Sequence, residues 1–310
     1  MTLFLQLAFL LSIILFSAKM AGYISIRLGQ PSVLGELLVG ILLGPTISTL
    51  FNLPFIEHEL IETAAKRGEL GVLLLMFLAG LELHLGEMRQ NVRVAAVAGL
   101  MGVVAPVLLG WGTGLLFGFD QPAAIFLGLT LGATSVSISA QTLIELKVLR
   151  SRVGLSLLGA AVFDDILIIL LLSVFLALQG GAGSTGDVFL ILVRMILFLV
   201  ASVLFGLWAL PWIIRRVSHL PISQGLLTMS LVIMLAYGIA SEAFGGMAAI
   251  TGAFLAGLML ARTPEKERIE AGVHALAYGL FVPVFFVNIG LSINLRDFHA
   301  DSFLLTVTVI

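Results

Sequence analysis

Long apolar runs separated by short polar connections organise this chain almost from end to end. A helix needs about 20 mostly apolar residues to span a bilayer. Ten stretches fit that rule: residues 3–26, 32–50, 68–86, 94–118, 122–146, 152–180, 186–214, 222–243, 246–262 and 272–295, here called segments A to J. A further apolar run starts at Phe303 and reaches Ile310. The pattern predicts an all-α polytopic membrane protein with little mass outside the membrane. Segment A lacks a basic leader and a small-residue cleavage site, so it reads as a membrane helix and not as a signal peptide.

Basic residues give this bundle a direction. The connections after A, C, E, G and I carry Arg27, Arg89, Arg93, Lys147, Arg150, Arg152, Arg215, Arg216, Arg262, Lys266 and Arg268, eleven in all. The others carry three, Lys66, Arg67 and Arg296. By the positive-inside rule the N-terminus is expected outside, and F starts on the cytoplasmic side.

An internal repeat is visible in the apolar pattern. Gly35-Glu36-Leu37-Leu38-Val39-Gly40-Ile41-Leu42-Leu43 in B matches Gly252-Ala253-Phe254-Leu255-Ala256-Gly257-Leu258-Met259-Leu260 in I. Gly80-Leu81-Glu82-Leu83-His84-Leu85 in C matches Gly290-Leu291-Ser292-Ile293-Asn294-Leu295 in J. Both matches are shifts of seven helices. Seven is odd, so the two copies thread the membrane in opposite senses, as in secondary transporters whose site lies at the repeat interface. The same shift places the partners of E and F at a twelfth and thirteenth helix. The chain therefore reads as ten helices, and the start of an eleventh, of a thirteen-helix protein.

Composition narrows the function classes. Of 310 residues 60% are hydrophobic and 11% charged, against about 25% charged in soluble domains. The absence of cysteine excludes disulfides, cysteine-ligated metals and thiol chemistry. A net charge of −2 without a basic cluster gives no sign of a nucleic-acid partner.

The chemistry concentrates in E and F. Asp164 and Asp165 are the only charges between Val153 and Leu178. Asp164 lies twelve residues into F, about 18 Å at the helical rise, which is the bilayer midplane. One carboxylate at that depth costs roughly 2.5–3.5 kcal/mol on insertion scales, so two in succession imply cation binding, proton carriage or both. Neighbours on a helix are about 100° apart. One of the pair is expected to coordinate an ion, while the other borders the site or pairs with a basic group. A carboxylate holds either a proton or a metal ion but not both, and that competition couples two fluxes. A structural ion pair is the alternative, although no basic residue within E or F offers a partner.

Segment E carries Gly132-Ala133-Thr134-Ser135-Val136-Ser137-Ile138-Ser139-Ala140-Gln141. Hydroxyl side chains compete with backbone hydrogen bonds and open helices; an opened helix at membrane depth must line a cavity or be packed in protein. Thr134 and Ser135, with freed carbonyls, would supply the oxygen ligands a small cation needs. Ser137 and Ser139 serve equally well as small residues for close helix packing. Glu36 and Glu82 either line an access route or sit near the interface, and Lys19 and Arg194 are expected to snorkel. His58, His84, His219, His274 and His299 lie in or near connections and read as surface groups, with a pH-sensing role open for His84.

Several of these stretches resemble the bacterial monovalent cation:proton antiporter-2 (CPA2) family: Gln30-Pro31-Ser32-Val33-Leu34-Gly35-Glu36 through Gly44-Pro45, Phe77-Leu78-Ala79-Gly80-Leu81-Glu82, Ala133-Thr134-Ser135-Val136-Ser137-Ile138-Ser139-Ala140, Gly159-Ala160-Ala161-Val162-Phe163-Asp164-Asp165 and Phe285-Phe286-Val287-Asn288-Ile289-Gly290-Leu291. The resemblance runs nearly the whole chain in order. It implies a thirteen-helix inverted-repeat fold with crossing broken helices, sodium/proton exchange, and a homodimer in the bacterial inner membrane. Asp165 would be the principal ion- and proton-binding carboxylate and Asp164 its partner. Na+ would sit at Asp165, Thr134 and Ser135, with Ser137 and Glu82 as secondary candidates. No cofactor is implied beyond the transported ions. Potassium-exchanging relatives often carry another polar residue first in the pair, so the double aspartate points to sodium and to an electrogenic stoichiometry.

On this reading residues 1–310 form an incomplete exchanger domain: a first repeat over about 1–180, a linker helix over about 186–214 and a partial second repeat over about 222–310. The family's lysine-bearing helix, its second broken helix and any regulatory C-terminal domain would lie beyond Ile310. A potassium/proton exchanger or gated potassium efflux system is the near alternative. An intramembrane aspartyl protease is a distant one, because it needs aspartates on different helices facing one water. A passive channel fits poorly, since a midplane carboxylate pair binds too tightly for fast conduction.

Overall fold

The computed structural model describes residues 2–45, 58–83, 85–178, 185–294 and 308. Those residues form twelve α-helices: α1 (Leu3–Arg27), α2 (Ser32–Leu43), α3 (His58–Glu82), α4 (Leu85–Leu116), α5 (Gln121–Gly132), α6 (Val136–Glu145), α7 (Arg152–Leu178), α8 (Thr185–Ser218), α9 (Gly225–Ala240), α10 (Ala249–Leu260), α11 (Lys266–Leu276) and α12 (Val282–Leu291). Wider π turns at Ser241–Gly245 and Ala277–Phe281 extend α9 and join α11 to α12. Among the described residues seven spans are long and apolar enough to cross a membrane, while α2 and α10 are shorter apolar helices.

The ten expected segments map onto these elements with three instructive differences. B was expected to run through residue 50; α2 ends at Leu43, and residues 46–50 lie outside those described. C and D begin earlier than their apolar cores, at His58 and Leu85, because helices continue into polar flanks where the backbone still pairs internally. E is two helices. It starts at an Asp120 cap whose carboxylate accepts the Ala123 N–H at 3.1 Å, stops at Gly132 and resumes at Val136. The helix is open at the hydroxyl-rich stretch, as those residues predict.

α10 sits at the centre. Every residue from Thr251 to Leu260 is buried, with α3, α8 and α9 packed around it. A helix apolar on all sides belongs in such a position. Phe77 on α3, Phe254 on α10 and Phe286 on α12 are the largest fully buried side chains of this core.

The tightest helix approaches come in matched pairs. Where α2 crosses α12, a Cβ on Gly290 would fall 2.7 Å from the Gly40 Cα and 2.8 Å from the Ile41 nitrogen. Where α10 crosses α3, a Cβ on Gly80 would fall 2.8 Å from the Leu258 nitrogen, beside the Phe254 carbonyl. Ile41 and Leu258 occupy equivalent positions of the B and I stretches, as Gly290 and Gly80 do of J and C. A third match lay unseen in the sequence. Gly35 packs on Ala21 and Gly22 of α1, and its counterpart Gly252 packs on Tyr237 and Gly238 of α9. Only glycine admits backbones this close.

Lys19 and Arg194, expected to snorkel, reach backbone carbonyls of the bundle. The Lys19 ammonium donates to the Tyr278 carbonyl at 2.8 Å, and the Arg194 guanidinium donates to the Ala243 and Phe244 carbonyls at 3.0 and 3.2 Å. Both target π turns, whose irregular geometry frees carbonyls that must find donors inside a membrane.

Candidate functional site

Three elements build the site: the break between α5 and α6, the middle of α7, and α4 packed against both. Ala133 and Ser135 are extended, with ψ of 94° and 102°, so Thr134 projects from non-helical backbone. Its hydroxyl donates to Asp164 Oδ2 in a short hydrogen bond. Asp164 is only 6% exposed, and its Oδ1 is buried without a hydrogen-bond partner among the described residues. The Ser135 and Ser137 hydroxyls lie 3.1 Å apart, and Ser139 donates to the Ser135 carbonyl at 3.4 Å.

These groups border a cavity of about 190 Å³. Asp164, Thr134, Ser135 and Ser139 supply its polar groups, and Gly102 of α4 lines it with open space where a Cβ would stand. Such a space has room for several waters, or for a cation with part of its hydration shell.

Asp165 faces elsewhere. Its Oδ2 accepts from the Thr251 hydroxyl on the first turn of α10 at 2.9 Å, and the space beside it measures only about 10 Å³. Of the expected grouping, Thr134 and Ser135 are therefore brought together with Asp164, whereas Asp165 is brought to Thr251. The helical offset of about 100° between neighbours accounts for this. Two aspartates aimed at different walls do not share one water, which is what a membrane aspartyl protease requires. Ser137 is buried beside Ser135. Glu82 stands apart, half-buried at the end of α3 near Arg150, Lys266 and Glu270.

Thr251 escaped the sequence reading. Its signal was a lone hydroxyl beside Gly252 in an otherwise apolar segment, which resembles an ordinary packing residue. Of the histidines, His274 stacks on Tyr278 with ring centroids 4.4 Å apart; the side chains of His58, His84 and His299 fall outside those described.

Comparison with known proteins matches this architecture. The family described as "Sodium/hydrogen exchanger, transmembrane" matches residues 12–310. The probable Na(+)/H(+) antiporter GerT of Bacillus cereus is 41% identical over 303 residues, covering 97% of this chain and 78% of that protein. The Na(+)/H(+)-K(+) antiporter GerN of the same organism is 41% identical over 305 residues, covering 97% and 76%. The structure of the sodium proton antiporter MjNhaP1 from Methanocaldococcus jannaschii shares the fold, with a TM-score of 0.70 at 19% identity over 100% of this chain and 74% of that one. With a family match along nearly its whole length, the chain belongs to the transmembrane sodium/hydrogen exchangers, a family of membrane transporters and not of enzymes.

Proposed function

We propose that the protein exchanges Na+ for H+ across a bacterial cytoplasmic membrane, with the two ions competing for the aspartates of α7. The observation that carries this reading is the meeting of Thr134, on opened backbone, with the buried Asp164 at the wall of a cavity into which Ser135 and Ser139 also bring hydroxyls. In the sodium-free state the Thr134 hydroxyl spends its proton on Asp164. An arriving Na+ displaces that arrangement. The hydroxyl rotates to present a lone pair, and Ser135 and the carbonyls freed by the helix break complete an oxygen shell. A proton taken up by the carboxylate from the other side reverses the change. Asp165, held by Thr251, is the second carboxylate of the site; the family resemblance would give it the principal proton- and ion-binding role, whereas the cavity beside Asp164 favours Asp164 as the group the ion meets. The empty, doubly charged site crosses poorly, which keeps the two fluxes coupled.

The same reading includes a homodimer in the bilayer, an outside N-terminus and a cytoplasmic position for the basic connections. The matched glycine contacts support a first repeat over about 1–180 and a second beginning near 222, with the helix over about 186–214 as linker. Potassium is the second cation to consider, because GerN is described as a Na(+)/H(+)-K(+) antiporter.

Proteoliposomes with an inside-acid gradient and a pH dye test this function. Addition of Na+ should dequench the dye for the wild-type protein and not for Asp164→Asn or Asp165→Asn. Normal exchange by both variants would overturn the assignment. Equal responses to K+ and Na+ would move it to the second cation.

A further inference from the structure

A second polar cluster lies at the basic end of the bundle, outside the exchange site. Ser32, at the start of α2, donates to Glu145 at the end of α6 through its backbone N–H at 2.6 Å and through its hydroxyl. Gln141, one turn earlier on α6, donates its Nε2 to Glu145 at 2.6 Å. Glu145 thus accepts three hydrogen bonds. A carboxylate only accepts, so this contact also fixes which way the Gln141 amide points.

The Gln141 oxygen is therefore turned away from Glu145, and it is buried without a partner among the described residues. Glu36 Oε2 is in the same condition. Glu36 is 4% exposed and Gln141 1%. The Ser32–Glu145 contact sets the register of α2 against α6, and residues four apart share a helix face. Glu36, four residues after Ser32, and Gln141, four residues before Glu145, thereby each lie one turn further along the contact of α2 with α6. Two buried acceptors on adjoining turns satisfy each other only if one carries a proton.

The charges around them agree. Lys19 on α1, held on the Tyr278 carbonyl, is the positive group nearest Glu36, and Glu145 is the negative one. Those two act on Glu36 in opposite senses, and Glu36 forms no ion pair among the described residues. The Tyr278 hydroxyl is likewise buried and without a partner among the described residues, within electrostatic reach of Glu36, Glu145 and Glu82. Glu82 in turn lies near Arg150, Lys266 and Glu270 at the basic end.

We propose that Glu36 is a second proton-binding group: as the neutral acid it donates to the Gln141 amide oxygen, and it exchanges its proton with the aqueous phase at the basic end through Tyr278 and Glu82. The site itself rests on the contacts above; only its role as a proton station for exchange rests on the proposed antiport.

Infrared difference spectroscopy of the membrane-embedded protein, in sodium-free buffer with stepped pH, tests it without relying on transport. A deuterium-sensitive carboxylic-acid band is expected that is lost in Glu36→Gln and moves to higher frequency in Gln141→Leu, where its acceptor is gone. Adding Na+ should leave this band in place while changing bands that vanish in Asp164→Asn and Asp165→Asn. Identical acid bands in wild type and Glu36→Gln would overturn the proposal. Should Glu36→Gln fail to insert, an unshifted band in Gln141→Leu would overturn it equally. Loss of the sodium-sensitive bands alone, with the Glu36 band intact, would sink the exchange function and leave this site standing.

Discussion

Asp164 and Asp165 are consecutive, yet they occupy two different environments. Asp164 looks across a cavity of about 190 Å³ towards opened backbone and three hydroxyl side chains. Asp165 looks into a space of about 10 Å³ and is tied by one hydroxyl to the most deeply buried helix of the bundle. One space is roomy and the other tight, and apolar side chains line most of both. The difference teaches that a pair of charges in sequence is not a pair in space. A helix deals neighbouring residues to different partners, so a double aspartate can join an ion-accessible group to one anchored on the scaffold.

The sharpest way to break this comparison is to neutralise each carboxylate alone. Asp164→Asn and Asp165→Asn should each abolish sodium-driven proton movement while leaving insertion and thermal stability near wild type, as read by dye dequenching and by unfolding in detergent. Retained exchange in one variant would assign the ion to the other wall. Filling the roomy wall comes next. No atom lies within 4 Å of a Cβ built on Gly102, so Gly102→Leu should fold yet reduce exchange by about tenfold or more, because the new side chain occupies the cavity at Asp164. Gly102→Ala should change little.

Smaller effects separate the two hydroxyl partners. Thr134→Val removes one ligand oxygen and one hydrogen bond to a charged group, worth about 1.5–3 kcal/mol. The apparent KM for Na+ should rise by about tenfold or more, and Thr134→Ser should recover most of it. Thr251→Val removes a contact to Asp165 on the closed wall. That bond too is to a charged group, but no ligand oxygen is lost from the cavity, so exchange should fall by less than in Thr134→Val and the pH profile should shift more than the sodium KM. A larger sodium effect from Thr251 than from Thr134 would invert the roles of the two walls.

Much of this arrangement is legible before any coordinates. The apolar runs predict the helices, and the hydroxyl cluster of Thr134, Ser135, Ser137 and Ser139 predicts the opening in segment E. The Gly-rich matches between B and I and between C and J reveal the repeat, and the same glycines mediate the α2–α12 and α3–α10 crossings, which the sequence did not foretell. What stayed hidden depends on rotation about helix axes. Which aspartate meets Thr134 is decided by how α7 turns against α4 and α6, and no periodicity reports that when all faces of a helix are apolar. Thr251 lay hidden for the same reason, since its importance comes from a partner 86 positions away. Lys19 and Arg194 read as snorkelling groups because nothing local announces the π turns whose carbonyls they cap.

The measurement that bears most directly on the central claim is the apparent KM for Na+ as a function of pH in proteoliposomes. A metal ion needs a deprotonated carboxylate, so proton and sodium competition makes the KM rise as pH falls, approaching about tenfold per pH unit where the proton dominates. Saturating Na+ should restore the same maximal rate at every pH. A KM that stays constant while the maximal rate falls with pH would contradict competition at the aspartates and place the proton's effect elsewhere in the protein.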